Sequence, residues 1–554
     1  MVTKRVMALI LGAAPLTMSQ VCAQESPRLV VLISVDQMRA DYLDRFADRL
    51  EHGLADVSRN GLKFTNTHHA HPMTETAPGH ATLVTGVHPA RTGVVSNEWW
   101  DRIGQARAYA ADDPDVEILG APLSMGRSPA LLLRTTIGDW LKSTSPNSKV
   151  YSVAIKDRVS VLMGGKQPDD AYWYDSRTGR YVTSSFYAGE YPEWLNAFNE
   201  MMVTPENVGR TWQRLWPEES YTASRADSFP AEHDGIHIVF PHAIDLADTL
   251  HSPYVELIHT PFGDQTTISL AQELVVQEGL GEDEQLDLLF LGLSSADYIG
   301  HRYGPFSQEV EDYYLRLDQM LGEFMAFLDD RIGRENYVTI LTADHGVVRL
   351  PEYSSTLGEP GQRVSVDDFR EELVAGLTMA VRELEIYATP IPMIMYPLGL
   401  VLRFEAEEGD EVSEEQMRRV REIVAEHLSK AEVIEDVFTY DELLAAEVER
   451  GAIADYLKSF HPDRAADIVI QYKEHNTFPP TLVVNHGSPY TYDTHVPFIV
   501  VAAGLNPGVV DRRVWSVDIA PSLAAMLGIS APGDLDGSVI QELADWRTQR
   551  GTER

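Results

Sequence analysis

Aspartate and histidine residues recur in pairs at spacings that suit a shared metal ion. Asp297 and His301 are four residues apart, so on a helical turn their side chains project from the same face. Asp344 and His345 are adjacent, and a loop at a strand end can aim both inward. Either pair alone is more often structural than metal-binding. Oxygen and nitrogen ligands without sulfur favour zinc, with manganese or magnesium as lesser alternatives.

Thr76 is a hydroxyl residue placed directly before an apolar helical stretch that runs through Val87. Because Pro78 suits the first turn of a helix, one interpretation of Thr76 is a helix N-cap. A hydroxyl at a helix N-terminus is also well placed to attack phosphorus, since the free N–H groups and the helix dipole favour an anion there. These residues leave both interpretations open.

Lys156 and Arg158 form a cationic pair that could bind an anion. They alternate within residues 154–158, a pattern that predicts a strand with both side chains on one side. Such a pair is most often a solvated surface. Whether the pair binds an anion therefore depends on the residues that surround it.

Three apolar runs end close to these acidic residues, which is typical of parallel strands buried on both faces. They cover residues 28–36, 286–293 and 337–341, and a fourth run, 497–502, follows His495. Ligands of open α/β sheets bind beyond the carboxyl ends of the strands, so the acidic ends should meet in one crevice. Carboxylates crowded there would repel one another without a cation. The predicted ligands are enough for two ions: Asp36, Asp297, His301, Asp344, His345 and His495.

Helical patterns lie between the strands, at residues 307–328, 413–427 and 517–527. The alternation predicts an α/β fold with a doubly wound, mainly parallel central sheet and helices on both faces. Residues 24–554 are predicted to form one catalytic domain. Two intervals of less regular pattern, about 101–285 and about 351–480, are predicted to be insertions that cap the carboxyl edge of the sheet.

Residues 1–23 have the layout of a cleaved secretory signal peptide, with Lys4 and Arg5 before an apolar stretch too short to span a bilayer. This predicts a periplasmic or secreted protein with no membrane role. Cys22 is the one cysteine of the chain, and it falls in that segment, so thiol chemistry and cysteine metal sites are excluded.

A formal net charge of −39 disfavours nucleic acid and anionic lipid as partners. An anionic substrate would need local cations at its site.

Taken together, the motifs resemble the type I phosphodiesterase and nucleotide pyrophosphatase branch of the alkaline phosphatase superfamily. The resemblance lies in Asp36, Thr76-Ala77-Pro78-Gly79-His80, Asp297-x-x-x-His301, Asp344-His345-Gly346 and the segment from His486-Gly487-Ser488 to His495-Val496-Pro497. It implies two Zn²⁺ per chain. Asp36, Asp344, His345 and Thr76 would bind one ion, and Asp297, His301 and His495 the other. His486 is interpreted as a structural histidine outside the ligand set.

The resemblance also implies roles for three further side chains. Asn97 looks like the asparagine that donates to a phosphoryl oxygen in this branch. Lys156 and Arg158 resemble the cationic pair of the phosphate-irrepressible periplasmic alkaline phosphatases, which binds the charged oxygens of a monoester. Gly79 stands where sulfatases of the superfamily have arginine, so sulfate ester cleavage is at most a side activity.

The function implied is hydrolysis of small phosphate monoesters through a phosphothreonine intermediate at Thr76, with Asn97, Lys156 and Arg158 as the other catalytic residues. A nucleotide phosphodiesterase or pyrophosphatase with the same metals is the nearest alternative. A non-catalytic metal-binding or phosphate-binding protein and a phosphotransferase are more distant ones. The natural substrate and the oligomeric state stay open.

An aromatic group could stack a base or a sugar, although packing is its commoner role: Trp99, Trp100, Tyr172, Trp173 and Tyr174.

Overall fold

The computed structural model describes residues 27–121, 124–246, 252–395, 399–478 and 482–552, so the predicted signal peptide lies outside the described residues. The strands of three residues or more in the described part are β1 (Leu29–Val35), β2 (Leu62–Phe64), β3 (Glu98–Asp101), β4 (Ala106–Tyr109), β5 (Val150–Ala154), β6 (Asp170–Asp175), β7 (Arg180–Val182), β8 (Asp287–Leu293), β9 (Tyr337–Thr342), β10 (Thr389–Met395), β11 (Gly399–Glu405), β12 (Ile434–Thr439), β13 (Ile468–Tyr472), β14 (Phe498–Ala502) and β15 (Gly508–Val510).

Nine of these strands form the central sheet, in the order β7-β6-β5-β8-β1-β9-β14-β2-β15. Strands β6, β5, β8, β1 and β9 are parallel neighbours, whereas β7 and β14 run antiparallel to the strands beside them. The apolar run of residues 28–36 is β1 at the middle of the sheet, where every residue from Leu29 to Val35 is buried. The predicted mainly parallel α/β sheet is confirmed.

The helices of eight residues or more in the described part are α1 (Gly53–Asn60), α2 (Thr76–Thr85), α3 (Ile137–Thr144), α4 (Asp157–Gly164), α5 (Glu193–Met202), α6 (Pro261–Glu278), α7 (Ser295–Tyr303), α8 (Gln308–Arg331), α9 (Val366–Glu383), α10 (Glu414–Leu428), α11 (Ile519–Leu527) and α12 (Gln541–Thr552). Serine side chains cap the start of three of them, α8, α9 and α10. Ser307 Oγ accepts the N–H of Val310 at the start of α8, and Ser413 forms a capping box with Gln416 at the start of α10.

Helices cover both faces of the central sheet because successive side chains of a strand point to opposite faces. Leu29, Val31 and Ile33 of β1 pack in one apolar cluster with α1, α6, α7 and α8. Val30 and Leu32 pack in a second cluster with α2, α3, α4, α11 and α12. The predicted arrangement of helices on both faces is therefore confirmed.

The interval 101–285 differs from the prediction of a cap insertion. It supplies three strands of the central sheet, β5, β6 and β7, together with helices α3, α4 and α6. The sequence of β6, Asp-Ala-Tyr-Trp-Tyr-Asp, is buried throughout but is aromatic rather than aliphatic. Because β6 has no run of Val, Ile and Leu, its sequence does not show the pattern typical of a central strand.

Residues 351–480 form a separate unit beside the central sheet. Strands β10 to β13 make a four-stranded antiparallel sheet in the order β10-β11-β13-β12, and α9 and α10 pack against it around a distinct apolar core. Within the described residues, no helix is both long enough and apolar enough to cross a membrane.

Candidate metal centre

Asp36, Asp344 and His345, here called the inner cluster, lie at the carboxyl ends of the neighbouring strands β1 and β9. His345 Nε2 is 3.6 Å from Asp36 Oδ1 and 3.2 Å from Asp344 Oδ2. All three side chains are at most 1% exposed. One ligand atom from each lies within the reach of a single ion.

Asp297, His301 and His486, here called the outer cluster, lie beyond the end of β8. Asp297 and His301 share one face of α7, and His301 Nε2 is 3.1 Å from Asp297 Oδ1. His486 comes from a loop, with its Nε2 3.6 Å from the same oxygen. The His345 and His486 rings stack with centroids 3.6 Å apart, so the two clusters are adjacent.

Main-chain carbonyls fix which ring nitrogen of each histidine faces the carboxylates. Nδ1 donates to a carbonyl in all three rings: from His345 to Gly346 at 2.9 Å, from His301 to Val484 at 2.8 Å and from His486 to Thr74 at 2.7 Å. A carbonyl only accepts, so each Nδ1 carries the proton and each Nε2 presents a lone pair. This is the arrangement that orients histidine ligands of metal ions.

Three ligand atoms of the inner cluster, one from each residue, have no hydrogen-bond partner. Asp36 Oδ1, Asp344 Oδ2 and His345 Nε2 are buried and make no hydrogen bond. Burial and the nearby Asp344 carboxylate raise the pKa of Asp36 well above its ordinary value. Buried polar atoms without partners are costly, and a divalent ion would satisfy these three together. Both clusters therefore fit an ion that takes nitrogen and oxygen ligands, as zinc does.

Lys156 lies between the two clusters. Its Nζ is 2.6 Å from Asp36 Oδ2 and 2.6 Å from Asp297 Oδ2, one carboxylate from each cluster. Burial disfavours the charge, but Asp297 and Asp36 outweigh it and raise the pKa of Lys156. The ammonium group is therefore a fixed positive charge at the centre of the site.

Thr76 is the first residue of α2, and Glu75 occupies the N-cap position. The Thr76 hydroxyl lies 3.3 Å from Lys156 Nζ and 3.3 Å from Arg158 Nη2. Gly79 lets α2 approach the inner cluster, since a Cβ there would collide with the main chain of Asp344. A helix N-terminus, two cations and a hydroxyl therefore meet at one point, which is an environment suited to an anion.

Lys156 and Arg158 reach this point in a different way from the predicted strand. Strand β5 ends at Ala154, Lys156 occupies the N-cap position of α4, and Arg158 lies in its first turn. The turn from strand to helix, rather than strand alternation, brings both cations to Thr76. Arg158 Nη1 is also held 3.3 Å from the Tyr109 hydroxyl, which hydrogen-bonds Asp157.

Asn97 is fixed with its amide nitrogen available to the cavity. Its Oδ1 accepts the N–H of Ala77 at 2.8 Å, and its Nδ2 donates to Glu75 Oε1 at 3.3 Å. The other Glu75 oxygen accepts the main-chain N–H of Asn97 at 3.0 Å and the Ser96 hydroxyl. Burial raises the pKa of Glu75 to about 7.

A cavity of about 550 Å³ opens onto these groups. It is lined by Thr76, Asn97, Lys156 and Arg158, by the outer cluster, and by His233, His259, Tyr298 and Arg302. The Tyr298 ring centroid is 5.2 Å from Lys156 Nζ. Its volume is in the range of pockets that hold a ligand much larger than phosphate alone.

The structure does not bring His495, which the sequence analysis predicts as a ligand of the second ion, to the outer cluster. His495 pairs with His68 in a short antiparallel bridge, the two rings stack with centroids 4.4 Å apart, and His495 Nε2 hydrogen-bonds the Thr65 carbonyl at 2.9 Å. This pairing keeps the ring out of the outer cluster. His486, interpreted from the sequence as structural, occupies the predicted position of His495.

Sequence reasoning also missed two residues that hold the site. Gln37 donates from its main-chain N–H to Asp344 Oδ1 at 3.1 Å and from Nε2 to Asp297 Oδ1 at 2.6 Å, so it connects the clusters. Glu75 orients Asn97. Neither belongs to a ligand-like pair. The side chains of the predicted aromatic group are all buried, in agreement with packing rather than stacking on a substrate.

The fold and the two clusters define an α/β protein with a candidate centre for two metal ions. A model of the type I phosphodiesterase / nucleotide pyrophosphatase family matches residues 30–481. The chain belongs to this family, within the alkaline phosphatase superfamily.

Among curated proteins, it is 32% identical over 527 residues to alkaline phosphatase PafA of Elizabethkingia meningoseptica, covering 93% of this chain and 94% of the relative. It is 31% identical over 527 residues to alkaline phosphatase PhoV of Synechococcus elongatus, covering 93% of each. Among solved structures, a crystal structure of a PafA variant superposes with a TM-score of 0.85 at 29% identity, over 96% of this chain and 99% of that one.

Proposed function

We propose that this protein is an alkaline phosphatase that hydrolyses phosphate monoesters. The observation that carries the proposal is the position of Lys156 and Arg158, each 3.3 Å from the Thr76 hydroxyl. A monoester presents a dianionic phosphoryl group, with one more charged oxygen than a diester, and two cations beside the nucleophile match that charge. The similarity to alkaline phosphatases over most of the chain supports the same function.

A solved structure supports the choice of catalytic residues. The PafA variant carries substitutions of a threonine, an asparagine, a lysine and an arginine, in that order along its chain. Thr76, Asn97, Lys156 and Arg158 are the same four residue types in the same order. We assign Thr76 as the nucleophile and the other three as the groups that bind the phosphoryl oxygens.

The proposed cofactor is two Zn²⁺ per chain. Asp36, Asp344, His345 and Thr76 would hold one ion, and Asp297, His301 and His486 the other. When bound, such a pair of ions lowers the pKa of the attacking hydroxyl and stabilises the leaving oxygen. The carboxylate and imidazole ligands without sulfur and the three Nε2 lone pairs support this set.

The reaction then follows from the positions of the protein's own groups. Thr76 Oγ1, with its proton removed, attacks phosphorus, and the bond from phosphorus to the alcohol oxygen breaks. Asn97, Lys156 and Arg158 donate to the non-bridging oxygens as negative charge shifts toward them. Water then attacks the phosphothreonine, releasing inorganic phosphate and restoring the Thr76 hydroxyl. The rest of the cavity would hold the alcohol portion of the substrate.

Steady-state kinetics on p-nitrophenyl phosphate and bis-p-nitrophenyl phosphate test the proposal, using zinc-loaded protein and a chelator-treated control. We expect faster turnover of the monoester and loss of that turnover on chelation. Faster turnover of the diester would contradict the proposed monoesterase and indicate a phosphodiesterase. Binding of phosphate without turnover of either ester would indicate a non-catalytic protein.

The cellular location belongs to the proposal as well. The apolar N-terminal pattern supports export to the periplasm or beyond the cell. Detection of the mature chain beginning at Gln24 in a periplasmic or extracellular fraction would test it.

A further inference from the structure

Asp493 is a buried carboxylate outside both clusters, with hydrogen bonds that reach the segments carrying their histidines. Its side chain is 0% exposed. Oδ2 accepts the main-chain N–H of Ser488 at 3.0 Å and the Ser488 hydroxyl at 2.6 Å. Ser488 lies two residues after His486, so this carboxylate fixes the loop that presents the outer-cluster histidine.

The main chain of Asp493 holds the inner cluster at the same time. Its carbonyl accepts the N–H of Gly346 at 2.7 Å, and the Gly346 carbonyl accepts Nδ1 of His345 at 2.9 Å. The two segments are in close contact, because a Cβ on Gly346 would collide with the Tyr492 carbonyl. The position of Asp493 therefore sets the position of His345.

Ser488 extends this connection to the nucleophile. Its carbonyl accepts the Thr74 hydroxyl at 2.9 Å, and the Thr74 carbonyl accepts Nδ1 of His486 at 2.7 Å. Thr74 lies two residues before Thr76. The hydrogen bonds of Asp493 and Ser488 thus join the histidines of both clusters to the segment that carries the attacking hydroxyl.

We infer that Asp493 is a positioning residue for both ions, acting on His486 through Ser488 and on His345 through Gly346. The inference rests on the ligand set given in the proposed function. The main-chain N–H and the hydroxyl of Ser488 both donate to one oxygen of Asp493, so two hydrogen bonds hold the Ser488 loop. Groups that orient metal ligands affect metal affinity by about 10–100-fold. Asp493 does not line the cavity, so it acts without touching substrate.

Zinc affinity is the measurement that isolates this role, because it requires no turnover. Zinc is titrated into metal-free protein against a chromophoric chelator, and both binding steps are fitted. We expect Asp493→Asn to weaken at least the outer-site step by about 10–100-fold. Ser488→Ala, which keeps the main-chain N–H, should weaken it less. The double variant should bind zinc no more weakly than Asp493→Asn, because both changes act on the same hydrogen-bonded link between Ser488 and Asp493.

Asp139→Asn is the matched control. Asp139 is 1% exposed and also fixes a loop, accepting the N–H groups of Lys166 at 2.8 Å and Gln167 at 2.7 Å, none of which belongs to a cluster. It should lower the melting temperature and leave both zinc affinities unchanged. If Asp493→Asn does not fold, Ser488→Ala carries the test, and wild-type zinc affinity in it overturns the inference.

Three outcomes separate this inference from the proposed function. Weakened zinc binding in Asp493→Asn, with no such change in Asp139→Asn, supports it. If wild-type protein binds two ions and Asp493→Asn binds them equally well, the positioning role is wrong while the proposed function stands. If wild-type protein binds no zinc, the proposed metal centre fails, and this inference fails with it.

Discussion

The two clusters contain the same kinds of ligand but differ in their surroundings. Asp344 and His345 of the inner cluster are fully buried, whereas His301 of the outer cluster keeps 13% of its side chain exposed and lines the cavity. The inner cluster lies under the N-terminus of α2, beside the nucleophile. The outer cluster lines the cavity, which would also hold the alcohol portion of a substrate.

This difference follows from how each cluster is built. The inner ligands come from the ends of two adjacent strands in the middle of the sheet, so the fold itself holds them. The outer cluster combines one helix with a loop residue, His486. Its Nδ1 donates to the Thr74 carbonyl, and two residues further along the loop Ser488 donates to Asp493. In the proposed mechanism, the closed site would bind the attacking oxygen and the open site could admit the departing one.

The largest effect should come from removing the nucleophile beside the inner cluster. Thr76→Ala is expected to lower monoester turnover by on the order of 10⁴-fold or more, because it removes the hydroxyl that is proposed to attack phosphorus. The inner ion should still bind to Asp36, Asp344 and His345. Turnover and zinc content are measured on the same sample, and robust turnover in the variant would contradict the assignment of Thr76.

The next largest effect distinguishes His486 from His495 as the ligand of the outer ion. His486→Ala should weaken outer-ion binding by more than the roughly 10–100-fold typical of losing an orienting group, since it removes a ligand. His495→Ala, the matched control, should bind both ions as the wild type does. Zinc titration of the two variants decides the matter. The reverse result would restore the sequence-based assignment of His495.

Arg158 is proposed to distinguish monoesters from diesters, and a third variant tests this role. Arg158→Ala is expected to lower kcat/KM for a monoester by about 10²–10³-fold, the usual cost of losing one donor to a charged transition state. The loss for a diester with the same leaving group should be smaller, because a diester has one charged oxygen fewer. Equal losses for both substrates would show that Arg158 does not recognise the monoester.

The smallest effect concerns the packing that holds α2 against the inner cluster. Gly79→Ala should destabilise metal-free protein by about 1–3 kcal/mol, because its Cβ would collide with the main chain of Asp344. Gly189→Ala, where a Cβ would meet nothing within 4 Å, is the control and should change stability little. Denaturant unfolding measures both, and equal stabilities would show that the close approach is not required.

The sequence predicted well the positions of the residues that follow the ends of strands. Asp36, Asp344 and His345 follow buried strands directly, and Asp297 and His301 follow another at helical spacing, so a parallel sheet brings them to one edge. The sequence could not predict the positions of residues that lie in segments without regular secondary structure. His486 and His495 are nine residues apart in a segment without periodicity, and which ring turns inward is set by tertiary contacts.

One local signal did favour His486. Both His345 and His486 are followed by glycine, and Gly346 and Gly487 permit the close main-chain turns that aim the preceding ring, Gly487 with a φ of 103°. His495 is followed by Val496, which continues a strand pairing. In the same way, Asp157 in the first turn marks the start of helix α4 and argues against a strand through Arg158.

The stereochemistry of phosphoryl transfer tests the central claim most directly. A phosphate monoester made chiral at phosphorus with oxygen isotopes is incubated with zinc-loaded enzyme and an acceptor alcohol, and the configuration of the product ester is determined. A phosphothreonine at Thr76 requires two in-line displacements, so the account predicts retention of configuration. Inversion would mean a single displacement without Thr76 as nucleophile and would contradict the proposed mechanism.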